Sequence, residues 1–163
     1  MISLEPLAKC STRELVKVKV DDATEWAIVG ARDPGYSPLI FLTGENAPFV
    51  INAEPERSDF SEHPVAKYGT EYRFVHDPNG ACQIGDDTLS KTGGSLVLTE
   101  DGGWHLVVNK YREKGVRWLE LASGKVLGEP GSRRIAFGKW DLCVQGLKHE
   151  PREITLLSHP CFD

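Results

Sequence analysis

The sequence predicts a mostly β fold: an antiparallel sandwich, a curved sheet or a partly open barrel of about ten short strands, with at most one or two short helices. Three observations support it. Apolar residues either alternate with period two or fall in short runs, and no segment keeps a 3.6-residue apolar period over a helical length. The chain of 163 residues contains 16 Gly and 10 Pro, which favours many turns. Connections are short, so the strands are expected to be antiparallel.

The first half of the chain predicts four strands, at residues 14–20, 24–31, 39–42 and 49–51. In the first of these, Val16, Val18 and Val20 share one face by period two, which is typical of a half-buried strand. The second run alternates less clearly and predicts a more fully buried strand. The last two runs are separated by a Gly- and Pro-containing loop, which predicts a strand pair.

The apolar pattern lapses between residues 53 and 69, the longest stretch without a clear element. A long loop in a compact domain is often functional or mobile. The alternative is a short helix over residues 61–67.

The second half predicts strands at residues 70–75, 95–100, 104–109, 115–121, 125–127, 134–147 and 153–157, with a Gly- and Asp-rich connection from 77 to 94. The clearest signal is Asp101-Gly102 between two apolar runs, which predicts a hairpin. Within the run from 134 to 147, Trp140, Leu142 and Val144 share one face. One globular domain over residues 1–163 is expected from the length.

Charge and hydropathy exclude several functional classes. The net charge is −5, and the 19 basic residues are scattered, so nucleic acid is not an expected direct partner. An acidic balance suits solubility, and it also suits docking onto a basic protein. No apolar run is long enough to span a bilayer, and no secretory signal is visible, so we expect a cytoplasmic protein. Its four cysteines, Cys10, Cys82, Cys143 and Cys161, are then expected to be reduced and apolar in role.

No catalytic motif is recognisable, which favours a non-enzyme without excluding an enzyme. The Gly124-Lys125 step lacks the other residues of a phosphate-binding loop, and Ser95 lacks the second glycine of a nucleophile elbow. The five histidines show no metal-ligand spacing. We therefore assign no catalytic residue, no metal ligand and no cofactor.

An acidic segment is the first candidate binding surface. It contains Glu54, Glu56, Asp59 and Glu62 together with Phe60. Peripheral charges can steer a partner while a buried aromatic side chain supplies affinity, so this segment would suit a basic protein surface. A solvated loop is the alternative.

The region from 110 to 118 is the second candidate. It contains Tyr111, Arg112, Arg117 and Trp118, which are residue types enriched at protein interfaces. We predict Tyr111 and Trp118 as partner-binding residues, with a position in the core as the alternative for Trp118.

Two stretches carry a family resemblance. Residues 115–121, Gly-Val-Arg-Trp-Leu-Glu-Leu, continue to Gly124, and residues 135–142 read Ile-Ala-Phe-Gly-Lys-Trp-Asp-Leu. Over these stretches, under a quarter of the chain, it resembles the small, acidic, β-rich immunity proteins of bacterial toxin–immunity systems, including contact-dependent inhibition. The resemblance implies a cytoplasmic non-enzyme that binds a basic toxin domain and blocks its active site. No functional residue of the family can be carried over.

Three functions therefore remain open. The first is a non-catalytic immunity or inhibitor protein that covers a partner's active surface, which a flat acidic face with aromatic residues would favour. The second is a small β-barrel enzyme or ligand carrier, which a deep aromatic-lined pocket with converging polar groups would favour. The third is a structural subunit of a larger assembly, which a large exposed apolar patch would favour.

Overall fold

The computed structural model describes residues 3–53, 64–80, 82–84, 88–145 and 153–160. These residues form strands and two 3₁₀ turns, Leu7–Lys9 and Thr88–Lys91, so the prediction of a mostly β fold is confirmed. The strands are β1 (Ser3–Pro6), β2 (Leu15–Val20), β3 (Ala23–Val29), β4 (Pro38–Phe41), β5 (Phe49–Asn52), β6 (Pro64–Gly69), β7 (Tyr72–His76), β8 (Cys82–Ile84), β9 (Leu96–Thr99), β10 (Trp104–Lys110), β11 (Val116–Glu120), β12 (Val126–Leu127), β13 (Arg134–Phe137), β14 (Trp140–Gln145) and β15 (Glu153–His159).

Within the described ranges, twelve strands form one large sheet in the order β1-β6-β2-β3-β4-β5-β10-β9-β13-β8, with β11 on β10 and β12 on β11. Strand β10 pairs with β11 along one edge, while β9 and β5 share its other edge. The β5–β10 pair is parallel, with Asn109 opposite Phe49, whereas the other pairs of this sheet are antiparallel. The path ends at β1 and β8, so the sheet is open and does not close into a barrel.

The remaining three strands form a small sheet in the order β15-β14-β7. The main core lies between the sheets, because buried Leu142 and Trp140 of β14 cluster with Ile40, Leu106 and Leu119 of the large sheet. A second cluster on the other face of β2 to β5 contains residues such as Val16, Ala27, Leu39 and Phe41. A third cluster includes Val107 and Trp118.

Several sequence predictions need correction. The predicted run from 134 to 147 is two strands in different sheets, β13 and β14, because the chain breaks at Gly138-Lys139 and crosses from one sheet to the other. The shared face of Trp140, Leu142 and Val144 is confirmed, since all three contribute to the main core.

Both alternatives for residues 53–69, a long loop and a short helix over 61–67, are wrong from Pro64 to Gly69. Residues 64–69 form β6, which lies between β1 and β2, and Val65 is fully buried there. The apolar periodicity of this segment is weak. It is nevertheless a strand, because pairing with β1 and β2 supplies its backbone hydrogen bonds and buries it. Strands β1 and β8 and the turn at Thr88–Lys91 were also not predicted, because short edge elements carry little alternation.

Candidate binding cleft

A large open cleft, of about 1620 Å³, is lined by β5 and by the neighbouring parts of β3, β4, β10 and β11. Three connections border it: the β2–β3 turn with Asp21 and Asp22, the β4–β5 loop around residues 43–46, and the tip of the β10–β11 hairpin at residues 111–115. Loops that project from a rigid sheet can vary in sequence without disturbing the core, which is why binding sites often occur there.

Left-handed backbone conformations shape all three connections. Asp21 (φ 52°), Asn46 (φ 62°) and Arg112 (φ 56°) each have positive φ. Asp and Asn adopt this region at little cost because their short side chains bond locally, whereas a long side chain pays more. These residues make the turns tight, so Arg112 is held at the tip of its hairpin next to the cleft.

The floor of the cleft is a row of stacked rings. The rings of Phe41 and Phe49 stack with centroids 5.0 Å apart, and those of Phe49 and Tyr111 with centroids 5.2 Å apart. The guanidinium of Arg112 lies 5.0 Å from the centroid of Tyr111. Phe41 is 4% exposed and Tyr111 is 48% exposed. The row therefore connects the second core cluster to solvent and anchors an exposed aromatic ring at the cleft.

One side of the cleft is acidic. Asp21, Asp22 and Glu25 come from the β2–β3 hairpin, and Glu45 comes from the adjacent β4–β5 loop. The Thr43 hydroxyl donates a hydrogen bond to the Glu25 carboxylate, which fixes its orientation. We call these four carboxylates the acidic pole.

The opposite side is basic. Lys110, Arg112, Lys114 and Arg117 lie along the β10–β11 hairpin, with Glu113 the one acid among them. We call these four cations the basic pole. Among the described residues, no residue of either pole forms an ion pair. Their charges are therefore available to a ligand.

Tyr36 adds a hydroxyl to the cleft lining near Arg117. Burial raises the pKa of Tyr36, while the positive charge of Arg117 opposes that rise. The phenol consequently stays protonated at neutral pH and can donate a hydrogen bond.

Of the residues predicted to bind a partner, the structure places Tyr111 in the cleft. Trp118 is 4% exposed and belongs to the third core cluster, so it occupies the core position that the sequence left open. Glu54, Glu56, Asp59, Phe60 and Glu62 lie outside the described residues, and their role stays a prediction.

Sequence reasoning named Arg112 and Arg117 in the second candidate region, but it missed Lys110, Lys114 and the acidic pole. The alternation of Lys110, Arg112 and Lys114 at a hairpin tip was a usable signal, whereas Asp21-Asp22 indicated only a turn. Only the pairing of β5 with β10 brings the two groups to the same cleft.

Other chemical groups of the described residues offer no catalytic constellation. No group of three His, Cys, Asp or Glu side chains could hold a metal ion within these ranges. Cys10 and Cys143 are free and buried, and burial raises the pKa of the Cys10 thiol, which opposes a thiolate nucleophile. His105 is buried, with its Nε2 3.9 Å from a Glu120 carboxylate oxygen. No helix in the described part of the chain is long and apolar enough to cross a bilayer.

Comparison of the chain with protein-family models, with curated proteins and with solved structures gives no match in any of the three.

Proposed function

We propose that this chain is a non-catalytic binding protein that holds part of a protein partner in the cleft. The observation that carries the proposal is the exposed Tyr111 ring, stacked on Phe49 and covered by Arg112, between two groups of unpaired charges. Tyrosine and arginine are enriched at interface hot spots, and charged residues occur mainly at the polar rim around them.

The acidic pole and the net charge of −5 support a basic partner. Complementary charge accelerates encounter and disfavours incorrect partners. A basic toxin domain, the partner implied by the resemblance to immunity proteins, fits this side of the cleft. In that case the chain acts as an inhibitor that covers the partner's active surface.

A ligand carrier is the second candidate, because Tyr36, Phe49 and Tyr111 give the cleft an aromatic lining. Small-molecule sites, however, enclose most of their ligand, typically in about 300–1,000 Å³. This cleft is larger and open, and its sheet does not close around it. A protein segment therefore matches its dimensions better than a small molecule does.

The test is affinity capture from a lysate of the native host, including products of neighbouring genes, followed by calorimetry with the identified protein. We expect Tyr111→Ala to weaken binding at least tenfold, because it removes the anchor and uncovers Phe49 (a hot-spot truncation of about 2 kcal/mol).

Ile84→Ala is the matched control. Ile84 is also an exposed apolar side chain, but it lies on β8 at the far end of the large sheet. If the Tyr111→Ala variant and the unmodified protein bind the partner with equal affinity, the cleft is not the binding site.

A further inference from the structure

Charges of opposite sign occupy different elements of the cleft. The acidic pole belongs to the β2–β3 hairpin and the β4–β5 loop, and the basic pole belongs to the β10–β11 hairpin. Building on the proposed function, we infer that the cleft binds an extended protein segment that carries both charge signs. Its acidic residues face the β10–β11 hairpin, its basic residues face the β2–β3 turn, and an apolar side chain between them contacts Tyr111.

The basic pole is suited to carboxylates. Arg112 and Arg117 present planar guanidinium groups that bind a carboxylate through two parallel hydrogen bonds, and Lys110 and Lys114 add charge. Arg112 is restrained by its position over the Tyr111 ring, so less side-chain entropy is lost when it binds. This concentration of four cations with one acid contrasts with the acidic character of the whole chain.

The acidic pole is suited to lysine and arginine side chains. Glu25 already accepts a hydrogen bond from Thr43, which leaves carboxylate lone pairs for a ligand cation. Gly44 lies in the β4–β5 loop beside this carboxylate, and its φ of +104° is a backbone conformation that favours glycine. Asp21 and Asp22 are exposed at the turn beside it.

Ligands with one charge sign fit poorly. A nucleic acid or an all-acidic peptide that binds the basic pole would be repelled by the carboxylates of the acidic pole. An all-basic peptide that binds the acidic pole would be repelled by the cations of the basic pole. Like charges placed together at an interface disfavour binding. A segment of mixed sign satisfies both poles at once.

Sheet geometry sets the length of that segment. Strands β3 and β10 are separated by β4 and β5, so their backbones lie three strand spacings apart, or about 14 Å. Ala27 and Asn109 are level through Phe41 and Phe49, so Glu25 and Arg112 are also offset by five residues, or about 17 Å, along the strand direction. The combined separation is about 22 Å, and we therefore expect the acidic and basic side chains of the segment to be about six residues apart.

The test uses capped seven-residue peptides and the ¹⁵N-labelled full chain at low ionic strength. The mixed probe has two glutamates, Gly-Phe-Gly and two lysines; two comparison peptides carry only glutamates or only lysines at the charged positions. We expect the mixed probe to shift the backbone amide signals of Asp22 and Glu45 as well as Arg112 and Lys114. It should also bind at least fivefold more tightly than either single-sign peptide.

Charge reversal tests the orientation. Asp21→Lys with Asp22→Lys, or Arg112→Glu with Lys114→Glu, should each weaken the mixed probe at least fivefold. The combined variant should recover the affinity, because the peptide can bind it in the opposite direction. The single variant Lys114→Glu reverses one charge of the basic pole and leaves Arg112, whose φ is positive, unchanged.

Matched controls lie at the opposite ends of the same strands. Lys125→Glu follows the distal end of β11, and Glu71→Lys lies beyond the Leu15 end of β2; both residues are exposed, and we expect unchanged affinity. Equal binding of the mixed and all-lysine peptides, or reversals without effect, would overturn the inference.

The two proposals fail differently. If a natural partner depends on Tyr111 but no peptide binds at the poles, the mixed-charge segment is overturned and the proposed function stands. If the peptide binds at both poles but the affinity of the natural partner is unchanged by Tyr111→Ala, the charge chemistry of the segment is supported and the proposed function is overturned.

Discussion

His159 shows how a single side chain ties the two sheets together. Its ring stacks on Trp140 with centroids 5.1 Å apart, and Trp140 Nε1 donates a 2.6 Å hydrogen bond to the carbonyl of Gly94 in the large sheet. A Cβ at Gly94 would lie 2.3 Å from His159 Nε2, so only glycine permits this approach. The imidazole is thus partly enclosed between Trp140 and Gly94.

This enclosure predicts a pH dependence of stability. Burial lowers the pKa of His159 below its ordinary value of 6.5, so the unfolded chain binds the proton more readily than the folded protein does. The free energy of unfolding should therefore decrease as pH falls below about 6.5. Urea unfolding between pH 7.5 and 5.5 should show a flatter pH profile for His159→Gln than for the unmodified protein. Parallel profiles would mean that His159 does not contribute.

At the scale of single residues, the sequence predicted that Tyr111 binds a partner and left two alternatives for Trp118, the core and an interface. Residue type alone does not separate these positions, because both are aromatic and near arginines. What separates them is pairing: Trp118 lies opposite Val107 inside the sheet, whereas Tyr111 follows the last residue of β10. Exposure is thus a property of register, which the sequence does not specify directly.

At the scale of elements, the β9–β10 hairpin was predicted from Asp101-Gly102, and its turn allows a direct test. Gly102 has φ +87°, and a Cβ there would meet no atom within 4 Å. Gly102→Ala should therefore cost about 1 kcal/mol through backbone conformation alone. Gly131→Ala is the control, because Gly131 is equally open but has no positive φ. Chemical denaturation of both variants measures the difference, and equal stabilities would contradict the explanation.

Elements were predictable where short runs of β-branched and other apolar residues end at turn residues, as in β2 and β10, although both strands bury side chains on both faces. Strand β6 was missed because its identity depends on β1 and β2, which lie far from it in sequence. The parallel contact of β5 with β10 was not predicted either, since a short parallel pairing leaves no pattern in its own residues.

At the scale of the whole molecule, the shared core predicts one cooperative unfolding transition. Leu142 of the small sheet is fully buried in the cluster that also contains Leu106 and Leu119 of the large sheet. Leu142→Ala should cost about 2–5 kcal/mol. It should shift the midpoints followed by tryptophan fluorescence and by far-UV circular dichroism equally. Separate midpoints for the two signals would show that the sheets unfold independently.

The β5–β10 contact also determines when during synthesis the cleft exists. Residues up to Asn52 supply the acidic pole, but the basic pole is complete only at Arg117. At about 5–20 residues per second, translation separates the two by several seconds. A nascent or truncated chain therefore presents carboxylates without their opposing cations. A ligand that needs both poles would bind complete chains in preference to fragments. Its binding would also stabilise molecules in which β5 and β10 are paired.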